Sequence, residues 1–340
     1  MATIFGDRWE IVETIGEGGQ AHAFKVRDVK GDGPTLYVLK RLKNLERLER
    51  FKREIEAVRN LNHPNIVRLI DFDVDAPKPY LVTEYCSGGS LDKAEPFWKK
   101  SPVIALELFQ QICEGVGFAH SQEVIHRDIK PSNIYLRNAD GPAVIGDFGI
   151  CYIERNGERL TLTEEAVGPR IFMAPELEGG RLEDISKKSD TYSLGKVLYW
   201  LLSNGTMLPR EKHREAEYDL KGQNYDSLFG WNNIYMEHIN RILDLMIVAD
   251  PEKRRSVDNI RILIRQATRL VRKEYTPIAD GLRQPCTYCG QGFYNDIPIS
   301  SLYSGLHLTD IENWRILACN ACGHVQLFRI DKASNKEWWK

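Results

Sequence analysis

The sequence predicts an α+β chain of two lobes, the first strand-rich and the second helical, with a small β-rich module appended at its C-terminal end. Three observations carry this. From Trp9 to about Tyr80, strand-forming runs alternate with glycine-rich turns, interrupted by one helical stretch. After Ser87-Gly88-Gly89 the apolar residues recur at helical spacing. Beyond Tyr275 the periodicity stops, and Pro277, Gly281 and Pro285 mark a connector ahead of two Cys-x-x-Cys pairs. A chain of 340 residues also exceeds what one small core usually holds.

In chain order, the first strand covers about Trp9 to Ile15 and runs into a glycine cluster. Ala23 to Asp28 and Leu36 to Arg41 follow as strands, separated by the turn Gly31-Asp32-Gly33-Pro34. Leu45, Leu48, Phe51, Ile55, Val58 and Leu61 repeat every three or four residues, which predicts a helix ended by His63-Pro64. Ser101-Pro102 is a helix start with proline at the first position, and the pattern runs to about His120. Further helices are expected over Asp190 to Leu202, Ile234 to Val248 and Val257 to Lys273.

Composition narrows the function. The 46 basic and 48 acidic residues leave a net charge of −2, so the global basic excess of many nucleic-acid binders is absent. The longest dense apolar run, Val197 to Leu202, falls far short of the roughly 18 residues a membrane helix needs. Met1 to Asp7 lacks the basic and apolar regions of a signal peptide. A cytoplasmic protein is expected, and in a reducing compartment the paired spacing of four of the seven cysteines points to metal rather than disulfides, while Cys86, Cys113 and Cys151 lie scattered.

Several segments carry chemistry. Gly16-Glu17-Gly18-Gly19-Gln20-Ala21-His22-Ala23 lies between two strands, where glycines let backbone N–H groups approach phosphates. Alone, such a loop reads by default as a hairpin that binds nothing, until a second phosphate ligand is found. Lys40, on the strand Leu36-Tyr37-Val38-Leu39-Lys40, supplies a phosphate-pairing charge, and Glu54 on the next helix has the sign and reach to hold it. His126-Arg127-Asp128-Ile129-Lys130-Pro131-Ser132-Asn133 packs a carboxylate, an ammonium and an amide into one short stretch, flanked by apolar residues. Asp147-Phe148-Gly149 and Ala174-Pro175-Glu176 follow in order.

Together these segments resemble the protein kinase superfamily, in its order and roughly its spacing, over about Trp9 to Arg272. The resemblance implies a bilobal fold: an N-lobe over about 9–83, a hinge at 84–87 and a helical C-lobe over 88–272, with ATP in the cleft. Matched residue by residue, Asp128 accepts or orients the proton of the attacking hydroxyl. Asn133 and Asp147 hold magnesium, Lys40 clamped by Glu54 orients the nucleotide, and Lys130 neutralises the transferring phosphoryl group. Ile15, Gly16, Gly18, Ala23 and Val38 line the nucleotide, while the Glu84 carbonyl and Cys86 backbone meet adenine behind Thr83. Lys130-Pro131 resembles serine/threonine rather than tyrosine kinases, so protein serine or threonine is the expected acceptor. Asp190 resembles the buried aspartate beneath the catalytic loop, and Arg254 the partner of Glu176.

The chain departs from the family pattern at Gln20, Ala21, Ala23 and Pro169, the last standing where a threonine hydroxyl is usual. A pseudokinase scaffold is the alternative these departures favour. Arg127 before Asp128 implies a phosphate on the segment between Asp147 and Glu176, with Thr161 and Thr163 as candidates. Glu164 and Glu165 offer the same charge without modification.

Past a linker at 273–285, Cys286-x-x-Cys289 and Cys319-x-x-Cys322 each bring two thiolates together. Over 286–330 this pattern resembles a zinc ribbon, with four cysteines leaving no open position on a structural zinc. His307 and His324 are read as packing or surface residues. Ribbons bind proteins or nucleic acids. The stripe Arg261, Arg265, Arg269 and Arg272 could meet phosphate or an acidic partner, or be an ordinary solvated face. The expected protein is therefore an ATP- and magnesium-dependent serine/threonine kinase whose ribbon recruits a partner, against a nucleic-acid module that merely senses ATP.

Overall fold

The computed structural model describes residues 4–17, 21–31, 33–148, 171–178, 186–220, 235–272, 286, 293–297, 314–320 and 322–329. The first lobe is one sheet of six antiparallel strands: β1 (Ile4–Phe5), β2 (Trp9–Glu17), β3 (Ala21–Asp28), β4 (Leu36–Leu42), β5 (Leu69–Asp73) and β6 (Tyr80–Glu84). They lie in the order β1-β2-β3-β4-β6-β5. Period-two alternation decides which face each side chain joins. On β6, Tyr80 and Val82 pack with Trp9, Phe24, Val26 and Leu39, whereas Leu81 faces the other way onto Leu42, Phe51 and Ile55. Trp9 is completely buried and satisfies its indole N–H on Asp71 Oδ2 at 3.0 Å.

Phe51 and Ile55 belong to α1 (Leu48–Val58), which is shorter than its apolar repeat suggested. Leu45–Arg47 form a 3₁₀ turn, with the Asn44 side chain accepting from the Glu46 N–H. Leu61 lies beyond the helix and joins Ile66 in the core of the second lobe. The repeat thus joined residues that serve two different cores.

The second lobe is built on α2 (Pro102–Ser121), α3 (Pro175–Glu178), α4 (Lys187–Leu202), α5 (Met236–Met246) and α6 (Val257–Val271). Ser101 caps α2 by accepting from Val103 N, Ser186 and Ser189 form a reciprocal capping box on α4, and Ser256 caps α6. All residues of α4 from Ser189 to Leu202 are buried, Lys196 included. Lys196 Nζ donates to the carbonyls of Leu208 and Arg210, and burial pushes its pKa down to about 7.

Gly115 lets α2 lie against backbone, since a Cβ there would stand 2.5 Å from the Asn65 carbonyl oxygen. Asn65 in turn bonds Ala143 O through its side chain and Ile145 N through its carbonyl. This fixes the hairpin of β7 (Ile134–Leu136) and β8 (Ala143–Ile145), whose two ends carry the site.

At the C-terminal end a separate three-stranded sheet runs β11-β10-β9, formed by β9 (Tyr294–Ile297), β10 (Trp314–Cys319) and β11 (Val325–Arg329). Among the described residues, Cys286, Tyr294, Leu317 and Cys319 form a buried cluster beside it. The Phe293 ring meets His238 of α5 at 4.9 Å between centroids. No helix among the described residues is long and apolar enough to cross a membrane.

Candidate active site

The stretch from His126 to Asn133 is held from below by α4. Asp190, fully buried, accepts from His126 N at 2.9 Å, Arg127 N at 2.8 Å and His120 Nε2 at 2.7 Å. Burial alone would raise the Asp190 carboxyl, but the His120 hydrogen bond and the surrounding donors outweigh it and hold it below its ordinary value. These bonds support Arg127 at φ 68°, a left-handed conformation that non-glycine residues rarely adopt. His126 Nε2 lies 3.0 Å from Gly146 O, and its Nδ1 accepts from Asp128 N at 3.3 Å. That pairing assigns the proton to Nε2, and burial, by lowering the pKa, keeps the ring neutral. The ring also packs on Phe148 at 4.6 Å.

The loop then places three polar groups on one another. Lys130 Nζ is 2.8 Å from Asp128 Oδ2. Asn133, in the 3₁₀ turn Pro131–Asn133, donates its amide to both the carbonyl and Oδ2 of Asp128 at 2.8 Å. With its nitrogen committed, the Asn133 side chain presents its carbonyl oxygen as a ligand atom.

Across the β7–β8 hairpin, Asp147 stands at φ 53°. Its Oδ1 forms an ion pair with Lys40, and its Oδ2 accepts from the Tyr135 hydroxyl at 2.7 Å. Lys40 is brought over the site by β4, where it pairs with Ala23 of β3 and Leu81 of β6. Burial lowers the Lys40 pKa, opposed by the charge of Glu54 on α1. Lys40, Glu54 and Asp147 therefore share one electrostatic neighbourhood.

Of the residues expected along the nucleotide, Gly16 pairs with Ala23 beside a register shift, and Val38 pairs with Thr83. Ile15 is exposed, whereas Ala23 and Val38 are half-buried. At the hinge, Arg137 grips the Glu84 carboxylate through two bonds of 3.0 and 2.9 Å, and Arg68 N adds a third. Burial of the Cys86 thiol, next to Glu84, pushes its pKa up to about 12. The Cys86 carbonyl accepts from Gly89 N at 3.1 Å. Gly88 permits the turn after the hinge to run close to Asn138, whose carbonyl oxygen would be 2.2 Å from a Cβ.

Sequence reading passed over Tyr135, Gly146 and Arg137. Tyr135 was only an apolar flank of the loop, although a buried phenol needs a partner and so announces a polar neighbour. Gly18, Thr161, Thr163, Glu164, Glu165, Pro169, Cys289 and His307 lie outside the described residues. The expected Glu176–Arg254 pair forms with bonds of 2.6 and 2.9 Å. In the arginine stripe, Arg261 pairs with Asp258 and Arg272 with Glu107.

In the C-terminal sheet, the sulfurs of Cys286, Cys319 and Cys322 all lie within 4.8 Å of one another, and Cys286 and Cys322 are 3.8 Å apart. Tetrahedral zinc with Zn–S of about 2.3 Å sets its sulfurs roughly 3.8 Å apart, so the spacing fits that ion. Cys322 N donates to Cys319 Sγ at 3.5 Å, the polarity a thiolate needs. Asn320, inside this knuckle, exchanges two hydrogen bonds with the Phe293 backbone.

Residues 9–264 match the family model described as the protein kinase domain. Serine/threonine-protein kinase PknB of Mycobacterium leprae is 32% identical over 205 residues, covering 58% of this chain and 32% of that protein. PknB of Mycobacterium tuberculosis is 32% identical over 206 residues, with the same coverage of 58% and 32%. CBL-interacting serine/threonine-protein kinase 20 of Arabidopsis thaliana is 28% identical over 256 residues, covering 74% of this chain and 57% of that protein. The chain thus spans about a third of the length of the mycobacterial relatives and a little over half of the plant one.

Proposed function

The chain belongs to the protein kinase domain family, and from that premise we propose that it transfers the γ-phosphoryl group of ATP, with magnesium, to serine or threonine hydroxyls of protein substrates. The observation that carries this reading is the meeting of Lys40 with Asp147 and of Lys130 and Asn133 with Asp128 at the two ends of one hairpin.

Phosphoryl transfer asks mainly for positioning and charge neutralisation. Asp128, with Oδ2 held by Lys130 and Asn133, turns its other oxygen toward the acceptor hydroxyl and takes up its proton as the new O–P bond forms and the bond from the γ-phosphorus to the β–γ bridging oxygen breaks, ADP leaving with that electron pair. Lys130 stabilises charge on the phosphoryl group in flight, and Lys40, within the field of Glu54, orients the nucleotide phosphates. The Asn133 carbonyl oxygen and the Asp147 carboxylate are hard oxygen donors suited to magnesium, which when bound supplies positive charge against the phosphates. The hinge offers the Glu84 carbonyl and the Cys86 backbone to adenine.

The catalytic unit is taken as 9–272, joined by 273–285 to the module at 286–330. In that module Cys286, Cys289, Cys319 and Cys322 would hold one structural zinc, supported by the sulfur spacing. A module of this length is too short for a large core, so the ion supplies most of its folding free energy. Recruitment of a protein partner is its role. Internal pairing of Arg261 and Arg272 and the chain's net charge of −2 both weigh against a nucleic-acid partner.

Incubating the full chain with γ-labelled ATP, magnesium and a generic basic protein tests the kinase reading. Label on serine and threonine is expected; label confined to tyrosine, or none, overturns it. Metal analysis should return about one zinc per chain, falling to none in the Cys286→Ser/Cys319→Ser double variant. Full zinc content in that variant would remove the ribbon assignment.

A further inference from the structure

Asp147 has a neighbour for which the kinase reading has no use. Tyr135 is the middle residue of β7, and its hydroxyl donates to Asp147 Oδ2 at 2.7 Å while Lys40 occupies Oδ1. The Tyr135 backbone is fixed on both sides, paired with Val144 of β8 and bridged to Ser90. Its ring fills the space beside Gly146: a Cβ there would stand 2.9 Å from ring Cε2 and 3.1 Å from Cδ2. The residue before Asp147 therefore carries no side chain, and the ring of Tyr135 takes that volume. A phenol keeps its proton at neutral pH, so against the Asp147 carboxylate the Tyr135 hydroxyl is the donor.

This arrangement answers a mechanical need. A carboxylate that is to receive a cation must keep one oxygen aimed at it, and free rotation of the carboxyl plane works against that. A carboxylate has about four lone-pair positions, so Oδ2 can keep the Tyr135 bond while other positions serve a metal. The phenol is anchored through its backbone and its ring, and so it is a stiff support.

We propose that Tyr135 is a positioning residue for the divalent cation of the nucleotide, acting through Asp147: its hydroxyl fixes the plane of the carboxylate, and Gly146 makes room for it to do so. The inference rests on the kinase reading of the site. It predicts that Tyr135 governs metal affinity and leaves the binding of metal-free nucleotide alone.

Tyr135→Phe keeps the ring and removes only the hydroxyl. Manganese binding to the full chain with a non-hydrolysable ATP analogue, read by electron paramagnetic resonance, is expected to weaken about tenfold, the scale of one hydrogen bond to a charged group. Half-saturating magnesium for turnover should rise in parallel, with kcat at saturating magnesium near wild type. Binding of ADP without metal should not change. Unaltered manganese and magnesium affinity overturns the inference, and so does an equal loss of metal-free ADP binding, which would place Tyr135 on the nucleotide instead. Wild-type protein that takes up manganese and nucleotide but transfers no phosphate removes the kinase reading alone, because the resonance comparison still decides the role of Tyr135. Wild type that takes up neither removes both.

Discussion

Asp128→Asn is expected to lower kcat about a thousandfold, measured as transfer of labelled phosphate to a generic basic protein, with little change in melting temperature. An asparagine oxygen still accepts from Lys130 and Asn133, which hold Asp128 Oδ2 at 2.8 Å, so the loop keeps its geometry. What is lost is the charge that orients the acceptor proton and the base that takes it up. Because binding groups such as Lys40 lie on β4 and not on the loop that carries Asp128, KM for ATP should stay close to wild type. A variant with wild-type kcat would remove Asp128 from the chemistry.

Arg254→Met should produce the largest loss of stability. The Arg254 side chain is wholly buried, bonds Glu176 twice, and donates to the carbonyls of Val248, Ala249 and Lys188. Removing it takes the counter-charge from the half-buried Glu176 carboxylate, on which the Ser189 hydroxyl still donates, and leaves backbone acceptors bare, a cost of about 3–5 kcal/mol. Thermal unfolding should shift down by roughly 6–20 °C on the scale of a domain this size. Replacing both partners by apolar residues should cost less than this single change, since no charge is then left alone.

The same pair sets an acid dependence. Burial would raise the Glu176 carboxyl, but hydrogen bonds from Arg254 and Ser189 prevail and place its pKa below the ordinary value in the fold. The carboxylate is then easier to ionise folded than unfolded. Its contribution is complete above the ordinary carboxylate range and disappears as pH falls through the depressed value. Denaturation curves of Arg254→Met at successive pH values should lack that acid-side decline.

Much of this architecture was readable because local rules agreed with it. The Ser101-Pro102 start reappears as a capped helix, and β3 ends at Asp28 and β4 begins at Leu36, on either side of the glycines and proline that predicted a break there. The catalytic stretch announced itself because so many polar groups within eight residues need a shared purpose. Other features were hidden for physical reasons. β5, Leu-Ile-Asp-Phe-Asp, puts acidic residues in a strand because Asp71 serves Trp9 and Arg8 across the sheet, a partnership no local pattern contains. Lys196 sits inside a buried helix because two distant carbonyls accept from it. Tyr135 looked like packing because the direction of its hydroxyl depends on the hairpin that carries it. Leu61 completed a helical repeat by coincidence of spacing, since α1 had already ended at Val58.

The anchoring of His126 and Arg127 on Asp190 divides the machinery unevenly. Asp128, Lys130 and Asn133 are bolted to the helical floor and move with it as one tool head. Lys40 hangs from the sheet above and touches that floor through Asp147. Breathing of the sheet against the floor therefore changes the grip on the triphosphate while the acceptor's seat stays true. A ligand that props the two halves apart would blunt nucleotide capture first and leave the seat for the hydroxyl intact.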